Sequence, residues 1–396
     1  MTRNVGIDRP WAVPAAAAAL FALAAAPSQA RDVNQLMMKS VGTTENASPV
    51  IVEAIKRAAI DLTPEQRALA LKCWKDNVCE TGHGTLTVAY ADGFGENVWR
   101  KVTKMEFILQ ALTYPDIKKI VYASAGGDAT KAVSDLRAFV AQKVDVIVIF
   151  ADAGAALLPT VKEATEAGIL VTLHNGTDVG GKGGKDYVTA IAENVCNLGN
   201  DFIKAVADNS NKNPTTVVEL GGTPGNPLSA TWQKCADEEL GKHNNLKLLG
   251  KADTNWTQEG SFQAMTGFLS QNGAVDSVVY EYADGFRGGL RAWQAANKSP
   301  DVIVALRTDE QGLFCDWEKV NDPNFKIFYS NGQNDQSRFA LTAAMMKKAG
   351  QDVPTKIDVP FKLKPVVKGM CNPALPEDAS VSTLVDDETM KAMFAK

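Results

Sequence analysis

Histidine is nearly absent from this chain. Its 396 residues contain three, His83, His174 and His243, scattered without metal-ligand spacing, and no Ser/His/Asp constellation is legible around them. Positive charge is not in excess either. The 41 Lys and Arg face 46 Asp and Glu, for a net charge of -5, which excludes the basic footprint of a nucleic-acid binder. After the N-terminal segment there is no long apolar run, so the rest of the chain offers no candidate membrane span. No metal and no cofactor is expected. "GTDVGGKG" at residues 176–183 almost spells a phosphate loop, but Gly183 stands where that loop needs Ser or Thr, and the next segment reads as a strand.

What is present begins with the first thirty residues. Arg3 and Arg9 precede the run "WAVPAAAAALFALAAA", and "PSQA" then places Ser28 and Ala30 at the -3 and -1 positions. This pattern predicts a secretory signal cleaved after Ala30. No cysteine follows the run, so no lipid anchor is indicated, and an exported protein of the periplasm is expected. Export makes the six cysteines readable as disulfides. Six allow 15 pairings; only the pair Cys73 and Cys79, in "CWKDNVC", is close enough in sequence to single out.

Residues 31–84 read as a helical extension. "SPVIVEAIKRAA" has helical apolar spacing, and "DLTPEQRALALKCW" opens with Thr63 and Gln66 as a capping box around Pro64. From residue 85 the pattern becomes regular alternation of short apolar strands ("TLTVAY", "KIVYAS", "VDVIVIF", "ILVTLHN") with amphipathic helices. After the glycine-rich loop the alternation restarts with "TTVVELGG", "LKLLGKAD", "VDSVVYEY" and "DVIVALR". Continuously apolar strands separated by helices predict parallel sheets covered on both faces, and two such runs predict an α/β protein of two Rossmann-like lobes.

In open α/β sheets, ligands bind outside the carboxyl ends of the strands. Those ends read "ADGFGENVW", "SAGGDA", "ADAG", "HNGTD", "GGTPGNP", "TNWTQ", "EYADGF" and "RTDEQG". Planar amides, carboxylates and aromatic faces suit a sugar, whose hydroxyls donate and accept while its C–H faces pack on rings. Asp92, Phe94, Arg100, His174, Asn175, Asn226 and Asp284 are ligand candidates on this rule. Asp128, Asp152 and Asp284 equally stand where helix caps stand, and Trp99 and Trp293 where core packing is the ordinary role. Trp256, in the polar loop "DTNWTQ", is better placed for binding.

Three stretches carry a family resemblance: "DLRAFVAQKVDVIVIFADAGAALLPTVKEATEAGILVTLHN", "GTPGNPLSATWQKCADEEL" and "YEYADGFRGGLRAW". Over about residues 85 to 370 the chain resembles the periplasmic sugar-binding proteins of ABC transporters, of the ribose- and galactofuranose-binding type. The resemblance implies the type I periplasmic-binding-protein fold, with two lobes joined by a three-strand hinge. The N-terminal lobe is expected at 85–193 and 333–356, and the C-terminal lobe at 194–332 and 357–385. It implies a monomer with no enzymatic activity that captures a sugar between its lobes and passes it to an inner-membrane ABC transporter permease. Ligand contacts are implied at Asn97, Trp99, Asp128, Trp256, Tyr282 and Asp309, and at Asn331 or Gln333. The family's "DR" after the fourth strand is His174-Asn175 here, and Trp232 or a neighbour takes the place of a further arginine. The strand ends thus read as aromatic-rich and arginine-poor, which keeps two alternatives open. One is the same fold holding a polyol, aromatic glycoside or signalling molecule; the other is a secreted hydrolase using His174.

Overall fold

The computed structural model describes residue 1 and residues 31–95, 97–175 and 178–395. The signal segment expected at residues 1–30 therefore lies outside the described residues, apart from Met1. Two sheets organise the chain. The first has seven strands in the order Val78–Glu80, Ile117–Ser124, Leu86–Asp92, Val146–Phe150, Leu170–His174, Thr189–Ala192 and Lys356–Asp358. Its pairs are parallel, save the edge strand Val78–Glu80, which runs antiparallel to Ile117–Ser124. The second has six strands in the order Lys364–Pro365, Lys326–Tyr329, Ile303–Leu306, Ser277–Tyr280, Thr215–Gly221 and Leu246–Asp253, parallel except for the antiparallel edge Lys364–Pro365.

The sequence pattern accounts for this architecture. Val146 through Phe150 is buried at every position, as a strand covered by helices on both faces must be. The chain passes between the sheets three times: after Ala192, after Tyr329 and after Asp358. Strand Lys356–Asp358 pairs with Thr189–Ala192, so the third passage falls after residue 358, slightly beyond the boundary expected at 356/357.

The extension is helical at Val33–Ser40, Pro49–Ala58 and Pro64–Asp76, and the Thr63–Gln66 capping box is formed. It is not purely helical, because Val78–Glu80 continues the first sheet. The Cys73–Cys79 disulfide closes the turn between that last helix and this strand. The other bridges are Cys196–Cys235, between helices Val195–Asn209 and Pro227–Leu240, and Cys315–Cys371, which ties helix Gln311–Val320 to the C-terminal tail.

The tail runs back over the first lobe and ends in helix Asp387–Met393, which packs on helix Pro64–Asp76 with Phe394 edge-on to Trp74. Its anchor is Glu106, fully buried on helix Val98–Ala111. One carboxylate oxygen accepts from the Leu384 amide at 2.7 Å and from the Thr383 hydroxyl; the other accepts from Arg338 Nε. Arg338 is itself buried and donates also to Gln110 at 3.0 Å. Removing one member of a buried, fully engaged ion pair leaves the other uncompensated. Glu106→Ala is therefore expected to destabilise the fold by about 3–5 kcal/mol, read as a lower midpoint in urea unfolding, and Glu106→Gln by less.

Candidate functional site

The carboxyl ends of both sheets meet at a cleft with about 560 Å³ of space, including the part open to solvent. The N-terminal lobe contributes Phe94 and Asn97 from the loop after Leu86–Asp92, Trp99 and Arg100 from the next helix, Phe150 and Asp152, and Asn175. The C-terminal lobe contributes Asn226, Leu228, Trp256, Glu281, Tyr282, Arg307 and Thr308. Phe94 meets Trp256 edge-on across the lobes, with ring centroids 6.1 Å apart.

Arg100 organises the first wall. Its Nη1 donates to Asp92 Oδ1 at 2.8 Å, and its Nη2 to both oxygens of Asp152 at 2.9 and 2.8 Å. The guanidinium lies over the Phe150 ring, 3.2 Å from its centroid. Burial works against the charge of Arg100, but Asp152 and Asp92 outweigh it, so its pKa rises. Asp92 is fixed in turn by the Tyr122 hydroxyl at 3.0 Å and the Phe94 amide at 3.0 Å. Burial pushes the Asp152 carboxyl up to about 6, with Arg100 pulling the other way and Asp92 adding to the rise. Asn97 caps helix Val98–Ala111 by accepting from the Arg100 amide at 2.9 Å, so the turn that ends the strand also sets the arginine's position.

Glu281 organises the opposite wall. It accepts from Ser229 Oγ at 2.6 Å, from the Trp256 indole N–H at 2.8 Å and from the Trp232 indole N–H. Burial pushes its carboxyl up, against these hydrogen bonds. Trp256 and Asn255 both occupy the left-handed backbone region, with φ of 51° and 55°, which is uncommon for residues with a side chain. Trp256 closes against Gly222, where a Cβ would lie 2.1 Å from the indole; a side chain at 222 would displace it.

Arg307 joins the two walls. It pairs with Glu193, at the first passage between lobes, and its guanidinium carbon is 5.7 Å from the centroid of a Trp99 ring. Burial pushes the Glu193 carboxyl up, but Arg307 outweighs it and the net shift is downward. Glu193 also accepts from Gln336 Nε2 at 2.5 Å, and Gln336 receives the Asn175 amide at 3.0 Å and donates to Gln333 Oε1 at 2.8 Å. Asn175 and Gln333 are both left-handed, with φ of 46° and 58°.

Among the expected site residues, the cleft gathers Phe94, Asn97, Trp99, Arg100, Asn175, Asn226, Trp256 and Tyr282. Asp92 stands directly behind Arg100. The others are placed elsewhere. Asp128 is exposed and caps helix Ala129–Ala141, accepting from the Thr130 amide at 2.7 Å. His174 is fully buried against Tyr90 and Phe150, and burial drives its pKa down to about 3, leaving it an uncharged ring in the core. Asp284 receives Gln258 Nε2 at 2.8 Å. Asp309 is held by the tail, through Ser380 Oγ at 2.7 Å and the Ser382 amide at 2.9 Å. Asn331 and Gln333 lie buried in the second passage between lobes, where Asn331 donates to the Ser40 carbonyl.

Phe150, Leu228, Glu281, Arg307 and Thr308 also line the cleft but are not among the residues expected from the sequence, and Asp152, which stands equally where a helix cap or a ligand contact would, is not among them either. The strand-end segments "EYADGF" and "RTDEQG" contain Glu281, Arg307 and Thr308. The cleft is not poor in arginine: Arg100 and Arg307 supply one guanidinium from each lobe.

Residues 91–352 match the family described as "Periplasmic binding protein domain". The galactofuranose-binding protein YtfQ of Escherichia coli K12 is 28% identical over 233 residues, covering 55% of this chain and 70% of that protein. The crystal structure of a galactofuranose-binding protein superposes with a TM-score of 0.63 at 21% identity, covering 71% of this chain and 94% of the other. A Mycobacterium smegmatis protein in complex with β-D-fucofuranose gives 0.61 at 24% identity, covering 71% and 91%. The periplasmic binding component of the arabinose ABC transporter of Shewanella sp. ANA-3, bound to arabinofuranose, gives 0.63 at 19%, covering 70% and 91%. The two-sheet architecture and this match over most of the chain lead to one conclusion: the protein belongs to the periplasmic binding protein domain family and is a binding protein rather than an enzyme.

Proposed function

We propose that the cleft captures a neutral monosaccharide, with a furanose favoured, and that the protein delivers it from the periplasm to an ABC permease in the inner membrane. The observation that carries this reading is the balance of the walls. Both guanidiniums are already matched by carboxylates, Arg100 by Asp92 and Asp152 and Arg307 by Glu193, and they line the cleft with Glu281 and the amides Asn97, Asn175 and Asn226. A ligand bearing a full charge would leave one sign uncompensated, whereas hydroxyls can both donate to the carboxylates and accept from the guanidiniums. The rings of Phe94, Trp99, Phe150, Trp256 and Tyr282 give C–H faces of a sugar something to pack on. The furanose preference rests on the names of the related proteins. Delivery requires opening and closing, and the three passages between lobes are the natural hinge.

Titration calorimetry against D-galactose, L-arabinose, D-ribose and D-fructose is expected to find one site per chain for at least one sugar. Trp99→Ala and Tyr282→Ala are each expected to weaken that binding at least about tenfold, roughly 1.4 kcal/mol, with an unchanged circular dichroism spectrum. Full affinity in both variants would mean that the ligand sits elsewhere.

A pH dependence also follows from Asp152. Its carboxylate holds Arg100 in place and is ionised only above its pKa of about 6. Affinity is therefore expected to be full near pH 7.5 and to fall, by about tenfold at pH 5, as the carboxylate takes up its proton. Asp152→Asn should bind more weakly throughout and show a flat profile between these pH values; a wild-type profile that is already flat counts against the role of Asp152.

A further inference from the structure

We infer that Asp284, Glu310 and Asp378 form a binding site for a calcium ion beside the ligand cleft. One oxygen from each of these carboxylates lies within 4.8 Å of the other two. They come from three separate elements: the first turn of helix Ala283–Ala295, the cap position of helix Gln311–Val320, and the turn of the C-terminal tail at residues 376–379. The sequence does not place them together, and none of the three lines the cleft, although Asp284 accepts from the hydroxyl of Tyr282 at 3.3 Å.

The second observation is Glu310 itself. It is 3% exposed, and among the described residues neither of its carboxylate oxygens has a hydrogen-bond donor. It lines a small cavity that it shares with Asp284, Asp378 and Tyr282. Although it occupies the cap position of its helix, its side chain does not cap; tail carbonyls do that work, Ala379 O accepting from the Gln311 amide at 2.9 Å and Glu377 O from the Gly312 amide at 2.8 Å. A buried carboxylate without donors demands a counter-charge or a proton. The nearest cation, Arg287, is 3.8 Å away and hydrogen-bonds instead to Asp316 at 2.9 Å and Glu377 at 3.0 Å. Beside the three carboxylates stand Arg287, which two further carboxylates already engage, and Lys101, whose charge reaches Asp378 without an ion pair to any of the three among the described residues.

The donor set is all oxygen and all carboxylate, which selects a hard cation. Three carboxylates on three independent segments form an adjustable cage that waters complete to the six to eight ligands calcium takes; magnesium demands a tighter octahedron. A bound ion would fasten the tail, already tied by Cys315–Cys371, to the helix whose first residues follow Tyr282 of the cleft wall.

The inference does not depend on which ligand the cleft holds, and its test is separate. Calcium chloride is titrated into the chelator-treated exported chain by calorimetry, with magnesium chloride in parallel, and thermal unfolding is followed with and without each ion. One calcium per chain is expected, with Kd at or below about 1 mM, and a Tm higher by roughly 3 °C or more at a hundredfold excess over Kd. Glu310→Gln and Asp378→Asn are each expected to weaken calcium binding at least tenfold. Asp378 is only partly buried, so its variant decides the matter if Glu310→Gln does not fold. No calcium binding, a response to magnesium alone, or undiminished binding in Asp378→Asn would overturn the assignment.

Discussion

The ion pair between Glu193 and Arg307 sits where the lobes join, and the geometry of the cleft depends on it. Glu193 immediately follows Thr189–Ala192, the last strand before the chain first leaves the N-terminal sheet, while Arg307 follows a central strand of the other sheet. Both are buried. Such a pair is tolerated only when its remaining hydrogen-bonding capacity is used, and Gln336 on the second passage supplies that, in turn fixing Asn175 and Gln333. One electrostatic requirement therefore aligns two of the three passages and aims a guanidinium and an amide into the cleft.

The chain ends reinforce the same waist. Ser40, at the end of the first helix of the extension, donates to Asp335, and its carbonyl accepts from Asn331. Burial, with Glu106 nearby, pushes the Asp335 carboxyl up to about 8. Arg31 donates to the Leu384 carbonyl at 2.9 Å, so extension and tail grip each other beside the Glu106–Arg338 pair. Neither segment touches the cleft, yet both fix the segments about which the lobes would hinge. This is a physical reason for a chain of this fold to carry additional residues at each end.

Much of this was legible in the sequence because it depends on local periodicity. Buried strands such as Val146–Phe150 and the Thr63 capping box were legible in this way, and the strand carboxyl ends border the cleft. The short strands Lys356–Asp358 and Lys364–Pro365 were not legible, since a strand of two or three residues has no period to read. Within the cleft, aromatic and amide residues were found readily, whereas Glu281 and Arg307 were not. A charged residue at a strand end looks alike whether it faces solvent or a buried partner. Only the fold brings Ser229, Trp232 and Trp256 to Glu281, or Glu193 to Arg307. His174 failed in the opposite sense: its letter suggested chemistry, but Tyr90 and Phe150 enclose it. The pairings Cys196–Cys235 and Cys315–Cys371 likewise depend on contacts between segments far apart in sequence.

The central claim is that a single small hydroxylated ligand is held between the two lobes by groups from both. Native mass spectrometry, after incubation with a panel of pentoses and hexoses, tests this most directly, using the wild-type protein and the variants Arg100→Ala and Arg307→Ala, one from each wall. The account predicts one sugar per chain on the wild type and loss of that complex in both variants. Absence of a complex with every sugar, or a complex that survives in both variants, would contradict it.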